Sequence, residues 1–160
     1  MEHKTKIHAE EGAHDLTIIR EFDLPVELLF KAHVEADLFE EWMTHEYATV
    51  KVLKLEIKKH GSLEWETIDA SGKKVFGAYG TVHAVVPNQK IVRTFEMDGS
   101  PFDVQLEFLE FQQLTADTSK LSMQSVYRSV ALRDQMLKLP FQQGLNMAHN
   151  RLQQVISKLK

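Results

Sequence analysis

The sequence predicts an α+β domain: a curved antiparallel sheet of about six to seven strands wrapped on one long C-terminal helix, with two short helices after the first strand. Three observations predict it. Apolar residues change from helical to alternating spacing at Thr49 and keep it to about Val130. Turn signals at His60-Gly61, Ala70-Ser71-Gly72-Lys73, Pro87-Asn88 and Asp98-Gly99-Ser100-Pro101 cut that run into neighbouring short strands, as in a meander. The last quarter then returns to helical spacing, with Leu145, Ala148, Leu152, Val155 or Ile156, and Leu159 on one face. A sheet must bury one face, and this terminal segment is the only one long enough to cover it.

The elements follow in order. Residues 1–13 are polar and without period, and read as a flexible N-terminal tail or an edge segment. Residues 14–160 read as a single domain, as the length also suggests. Leu16 to Phe22 is the first strand, stopped by Asp23-Leu24-Pro25. Pro25 suits a first helical turn, and Val26 to His33 and Asp37 to Met43 form the two short helices. Val50, Val52, Leu53, Leu55 and Ile57 make a strand whose phase slips near Val52 and Leu53, the mark of a bulge. Leu63, Trp65 and Thr67 follow, then a long strand from Val75 to Val86. Its Gly77 and Gly80 mark a bend or a close backbone approach. Lys90 to Met97 is the next strand. Phe102, Val104, Leu106 and Phe108 alternate with Asp103, Gln105 and Glu107, which predicts the apolar set inward. Leu121 to Val130 is the last strand. The helix from Arg133 onward has Pro140 as a kink or as the start of its main segment. It also carries Gly144, which costs about 1 kcal/mol in a helix interior and suggests that something approaches the backbone there.

Composition narrows the function classes. A net charge of −4 without a basic stripe argues against nucleic acid; Lys51, Lys54, Lys58 and Lys59 read as a solvated strand face. The chain has no cysteine, so disulfides, thiolate metal sites and Cys nucleophiles are excluded. No window approaches the ~20 apolar residues of a spanning helix, and no apolar signal core follows Met1. The expectation is a cytoplasmic protein without membrane insertion.

Several strings, taken in order, resemble the SRPBCC (START-like, Bet v 1-like) superfamily and its helix-grip fold. Within it the chain is most similar to the AHSA1-like family, named for an activator of a heat-shock chaperone ATPase. The strings are Arg20-Glu21-Phe22-Asp23-Leu24-Pro25, Leu38-Phe39-Glu40-Glu41-Trp42, Gly61-Ser62-Leu63-Glu64-Trp65, Gly77-Ala78-Tyr79-Gly80-Thr81-Val82 and Val86-Pro87-Asn88-Gln89-Lys90-Ile91-Val92, with Arg133-Asp134 and Gly144 beyond. Met43-Thr44-His45 departs from the family's second Trp and Gly-Pro, and Gly61-Ser62 from its glycine pair. The resemblance implies a pocket between the sheet and the last helix. It also implies three candidate roles: a binding protein for a small hydrophobic or amphipathic molecule, a module acting on a heat-shock chaperone in a stress response, or an enzyme using the same pocket. A homodimer is a further expectation.

Candidate pocket residues follow. Trp42, Trp65, Tyr79, Phe95, Tyr127 and Phe141 would supply apolar wall, and Glu64, His83 and Arg93 polar anchoring. Gly144, Ala148 and His149 would present the helix to the ligand. Glu64, Glu66 and Arg93 stand opposite the evident apolar residues, so they read as outward or rim charges unless the face is inverted. The eight histidines form neither His-x-His nor His-Glu-x-x-His, and no metal or cofactor is expected. No catalytic triad, phosphate loop or paired-carboxylate motif is present, so no residue is assigned a catalytic role.

Overall fold

The computed structural model describes residues 2–160. The element order is β1 (Lys6–His8), β2 (Asp15–Phe22), α1 (Val26–Val34), α2 (Ala36–Met43), β3 (Ala48–Leu55), β4 (Ser62–Asp69), β5 (Lys74–Val86), β6 (Lys90–Met97), β7 (Gln105–Gln113), β8 (Ser119–Val126), α3 (Val130–Leu137) and α4 (Phe141–Ser157). The strands form one open antiparallel sheet in the order β1-β2-β8-β7-β6-β5-β4-β3. β3 to β8 are a meander, and β2 closes against β8 at the far side. The sheet curves over α4, as the α+β reading required. No helix among the described residues is long and apolar enough to cross a membrane.

Local chemistry explains the turns and bends. The β3 bulge falls between Val52 and Lys54, where the apolar phase slips. Gly80 is obligatory, because a Cβ there would lie 2.1 Å from the Thr94 carbonyl oxygen. Gly61 is equally constrained, since its Cβ would lie 2.0 Å from the Glu56 carbonyl oxygen.

The core is uneven along α4. Leu152 and Ile156, in its C-terminal half, are fully buried among Phe22, Leu24, Leu29 and Phe30. Each such side chain contributes about 1.5–3 kcal/mol by leaving water. A second, smaller cluster joins Leu16, Ile18 and Tyr127 to Phe141 and Leu145 at the other end.

Three expectations are corrected. Of the two readings of the N-terminal segment, the flexible tail gives way to the edge segment: it contains the edge strand β1, with Ile7 opposite Ile18. Just before it, Thr5 is buried, and its N–H donates to Asn146 Oδ1 on α4 at 2.8 Å. The terminal helix is two helices. Ser129 caps α3 by accepting from the Leu132 N–H, and Pro140 stands at the start of α4, having no N–H to lose there. The third correction is the phase of β7. Gln105, Glu107, Leu109 and Phe111 face inward, while Leu106 and Phe108 lie on the outer face, half-buried. Phe102 to Phe108 is not one strand. Asp103 takes a left-handed conformation (φ 58°) and resets the alternation, and Val104 is exposed.

Candidate functional site

Between the sheet and the N-terminal half of α4 lies a cavity of about 940 Å³. Pockets for small molecules typically span roughly 300–1,000 Å³. The space exists because α4 changes character along its length. Its C-terminal half carries Leu152 and Ile156, which fill the core. Its N-terminal half offers Gly144, Ala148 and His149, which do not fill the space before the curved sheet.

One wall is aromatic. Trp42 packs on Phe39 (centroids 5.2 Å apart), Phe39 on Trp65 (4.9 Å) and Trp65 on Phe95 (5.5 Å). The helices α1 and α2 hold this wall in place: Trp42 Nε1–H donates to the Ala32 carbonyl at 2.8 Å, deep in the core. Both tryptophans of the chain line the cavity.

The floor is polar along one line. Strand register places Arg93 opposite Glu107, and Glu107 opposite Ser125, all facing inward. Arg93 Nε–H donates to Glu107 Oε1 at 2.8 Å, and Gln105 Nε2–H to Glu107 Oε2 at 2.7 Å. The carboxylate therefore has a partner at each oxygen, which is what makes it tolerable in an apolar cavity. Ser125 Oγ is buried and has no hydrogen-bond partner among the described residues. The Tyr127 phenol, further along β8's line, is pushed above its ordinary pKa by burial and by the negative charge of Glu107.

Two histidines border the cavity from the helical side, both neutral. His33 Nδ1–H donates to the Leu29 carbonyl at 2.9 Å; burial first, then the charge of Arg93, pushes its pKa down to about 4. His149 Nδ1 is hydrogen-bonded to Thr5 Oγ1 at 2.7 Å; burial first, then His33 and Arg20, pushes it down to about 3. Among the described residues, no three His, Asp or Glu side chains converge as a metal-ligand set.

Of the residues expected from sequence, Trp42, Trp65, Arg93, Phe95, Tyr127, Phe141, Gly144, Ala148 and His149 border the cavity. Glu64, Tyr79 and His83 do not. Glu64 is on the outer side of β4, alternating with buried Leu63 and Trp65. Tyr79 points away from α4 and donates its O–H to Asp98 at 3.1 Å. His83 is exposed at the bulge of β5, between the Val82 and Ala84 pairings. Arg93 reverses its expected orientation and is inward and paired. Gly144 borders the cavity, but nothing approaches it: a Cβ there would meet no atom within 4 Å. The sheet therefore does not pack closely against the helix at Gly144.

Sequence reasoning missed Glu107, Gln105, Ser125 and His33. A signal for Glu107 existed. A hairpin folded about Ser100 pairs Arg93 with Glu107, so an inward Arg implies an inward Glu. Ser125 carried no comparable signal.

Solved structures share this architecture. A Rhodobacter sphaeroides protein aligns with TM-score 0.86 at 18% identity, over 95% of this chain and 98% of that one. A Mycobacterium smegmatis protein gives TM-score 0.82 at 16% identity, over 94% and 95%. A Staphylococcus epidermidis protein gives 0.79 at 19% identity, over 94% of each. Identities this low establish a common fold and no more. No curated protein matches the chain. Residues 23–157, from the end of β2 to the end of α4, match the pattern of the activator of Hsp90 ATPase homolog 1-like family, and the chain belongs to that family.

Proposed function

We propose that this protein is a non-enzymatic binding protein for a small, mostly apolar molecule, held in the cavity between the sheet and α4. The observation that carries this reading is the cavity itself: about 940 Å³, with an aromatic wall from Trp42 to Phe95 and a small set of buried polar groups on its floor. Apolar area supplies affinity in such a site, and a few fixed polar groups orient the ligand. His33 and His149 support binding rather than proton transfer. Each has a ring nitrogen tied in a structural hydrogen bond and is held neutral well below physiological pH.

The test is native mass spectrometry of the protein purified from its own host, followed by organic extraction and a thermal-shift screen against lipophilic compounds. The expected result is a stoichiometric small-molecule adduct, or stabilisation by a defined subset of lipophiles. A clean apo mass together with no stabilisation by any lipophile overturns the reading.

A further inference from the structure

We propose that the Arg93–Glu107–Ser125 line selects a ligand whose buried end is an uncharged oxygen acceptor, such as a ketone or hydroxyl oxygen, and disfavours a carboxylate there. This rests on the reading of the cavity as a ligand site and names the chemistry it takes.

The line is narrow and fixed. Its three residues are direct cross-strand neighbours on β6, β7 and β8, with Leu16 of β2 next in register. The adjacent inward row, Ile91, Leu109, Met123 and Ile18, is wholly apolar. A ligand lying along the floor therefore meets polar groups on one side of that apolar row only: the Arg93–Glu107–Ser125 line and, beyond it, Gln105 and the Tyr127 phenol.

That line offers donors. Ser125 Oγ–H is buried and without an acceptor. Arg93 spends its Nε–H on Glu107, and among the described residues its terminal nitrogens donate to no protein group. A buried donor left unmade is costly, and a ligand oxygen that accepts from it recovers that cost.

The same line offers no spare positive charge. Glu107 already neutralises Arg93, and the neighbouring His33 and His149 are neutral. Arg151 borders the cavity from α4 but is turned to the Trp42 carbonyl, to which its Nε–H donates at 3.0 Å. A ligand carboxylate at the floor would sit beside the Glu107 carboxylate in a mostly apolar space, where like charges repel with little screening.

Three probes of nearly equal shape separate the terms: acetylnaphthalene, isopropenylnaphthalene, which lacks the acceptor, and naphthoate. Binding is measured by calorimetry at neutral pH, with quenching of Trp42 and Trp65 locating the probe. The wild-type chain should bind acetylnaphthalene at least about fivefold tighter than isopropenylnaphthalene, although the latter is more lipophilic, and naphthoate more weakly still. Ser125→Ala should weaken acetylnaphthalene about five- to tenfold, leave isopropenylnaphthalene unchanged and not lower the thermal midpoint. Glu107→Gln, if it folds, should raise naphthoate affinity about tenfold or more by exposing the charge of Arg93. Isopropenylnaphthalene binding as tightly as acetylnaphthalene, or naphthoate binding more tightly than both, overturns the inference while the cavity reading stands. Binding of none of the three overturns this inference as well, and leaves the cavity reading to be decided by the adduct and lipophile screen.

Discussion

Arg93 and Glu107 face each other across β6 and β7, 2.8 Å apart, on the inner surface of the sheet. Their side chains are 10% and 5% exposed. Two charges so buried are held by each other and by Gln105. Glu107→Ala should therefore cost about 3–5 kcal/mol, because it strands a buried guanidinium. Replacing both, as Arg93→Met with Glu107→Leu, should recover most of that loss. Urea unfolding of the two singles and the double measures the coupling. A Glu107→Ala variant within about 0.5 kcal/mol of wild type would show that the pair is not buried in solution.

Acid should destabilise the fold earlier than carboxylate titration alone would. His33 and His149 have folded pKa values of about 4 and about 3, below the ordinary 6.5 of the unfolded chain. The unfolded chain thus binds more protons, so stability is complete above pH 6.5 and falls as pH drops toward 4. With both rings contributing, the slope should approach about 3 kcal/mol per pH unit near pH 5. His149→Gln should remove about half of it. Denaturant unfolding at a series of pH values reads the slope directly, and a flat profile between those limits would contradict the burial of both rings.

The N-terminal segment should behave as a strap. Thr5→Val keeps the shape but leaves His149 Nδ1 without its partner, while the Thr5 N–H still donates to Asn146. The expected cost is about 1–3 kcal/mol. Residues before Asp15 acting as a loose tail would give no change in unfolding midpoint, which thermal melts resolve.

Gly144→Ala should stabilise the protein by about 1 kcal/mol, since a Cβ there meets open space and Ala is the better helix former. For a chain of this length that raises the thermal midpoint by about 2–4 °C. A fall in midpoint would mean that Gly144 is closely packed after all.

Outer-face positions serve as controls for ligand binding. Tyr79→Phe and His83→Ala should leave probe affinity unchanged, whereas Trp65→Ala should weaken it at least about tenfold, as expected for loss of a buried aromatic contact. Titration by calorimetry compares them. Loss of affinity in Tyr79→Phe would place the site on the other side of the sheet.

Much of the fold was legible in the sequence. The strand of Lys90 to Met97, the two short helices, the bulge beside Val52 and the turn glycines each carry a local cause, a backbone conformation or a period that a short window contains. Family membership was legible for the same reason, because it rests on the order of such local strings.

What only the tertiary structure decided is which face of a strand looks inward. Alternation says that two faces differ, not which is buried. Leu106 and Phe108 pointed to one answer and the fold took the other, placing Glu107 and Gln105 inside. The deciding partners were distant: Leu109 and Phe111 further along β7, and Arg93 on β6 to neutralise the carboxylate. Likewise His149 and Thr5 are 144 positions apart, and neither predicts the other until α4 lies across the sheet. By itself the sequence determined the elements, their order and their turns, because those follow from neighbours along the chain. The cavity, its charge-balanced floor and its N-terminal strap were decided by neighbours across space, because the cost of burying a charge or an imidazole depends on what stands opposite it.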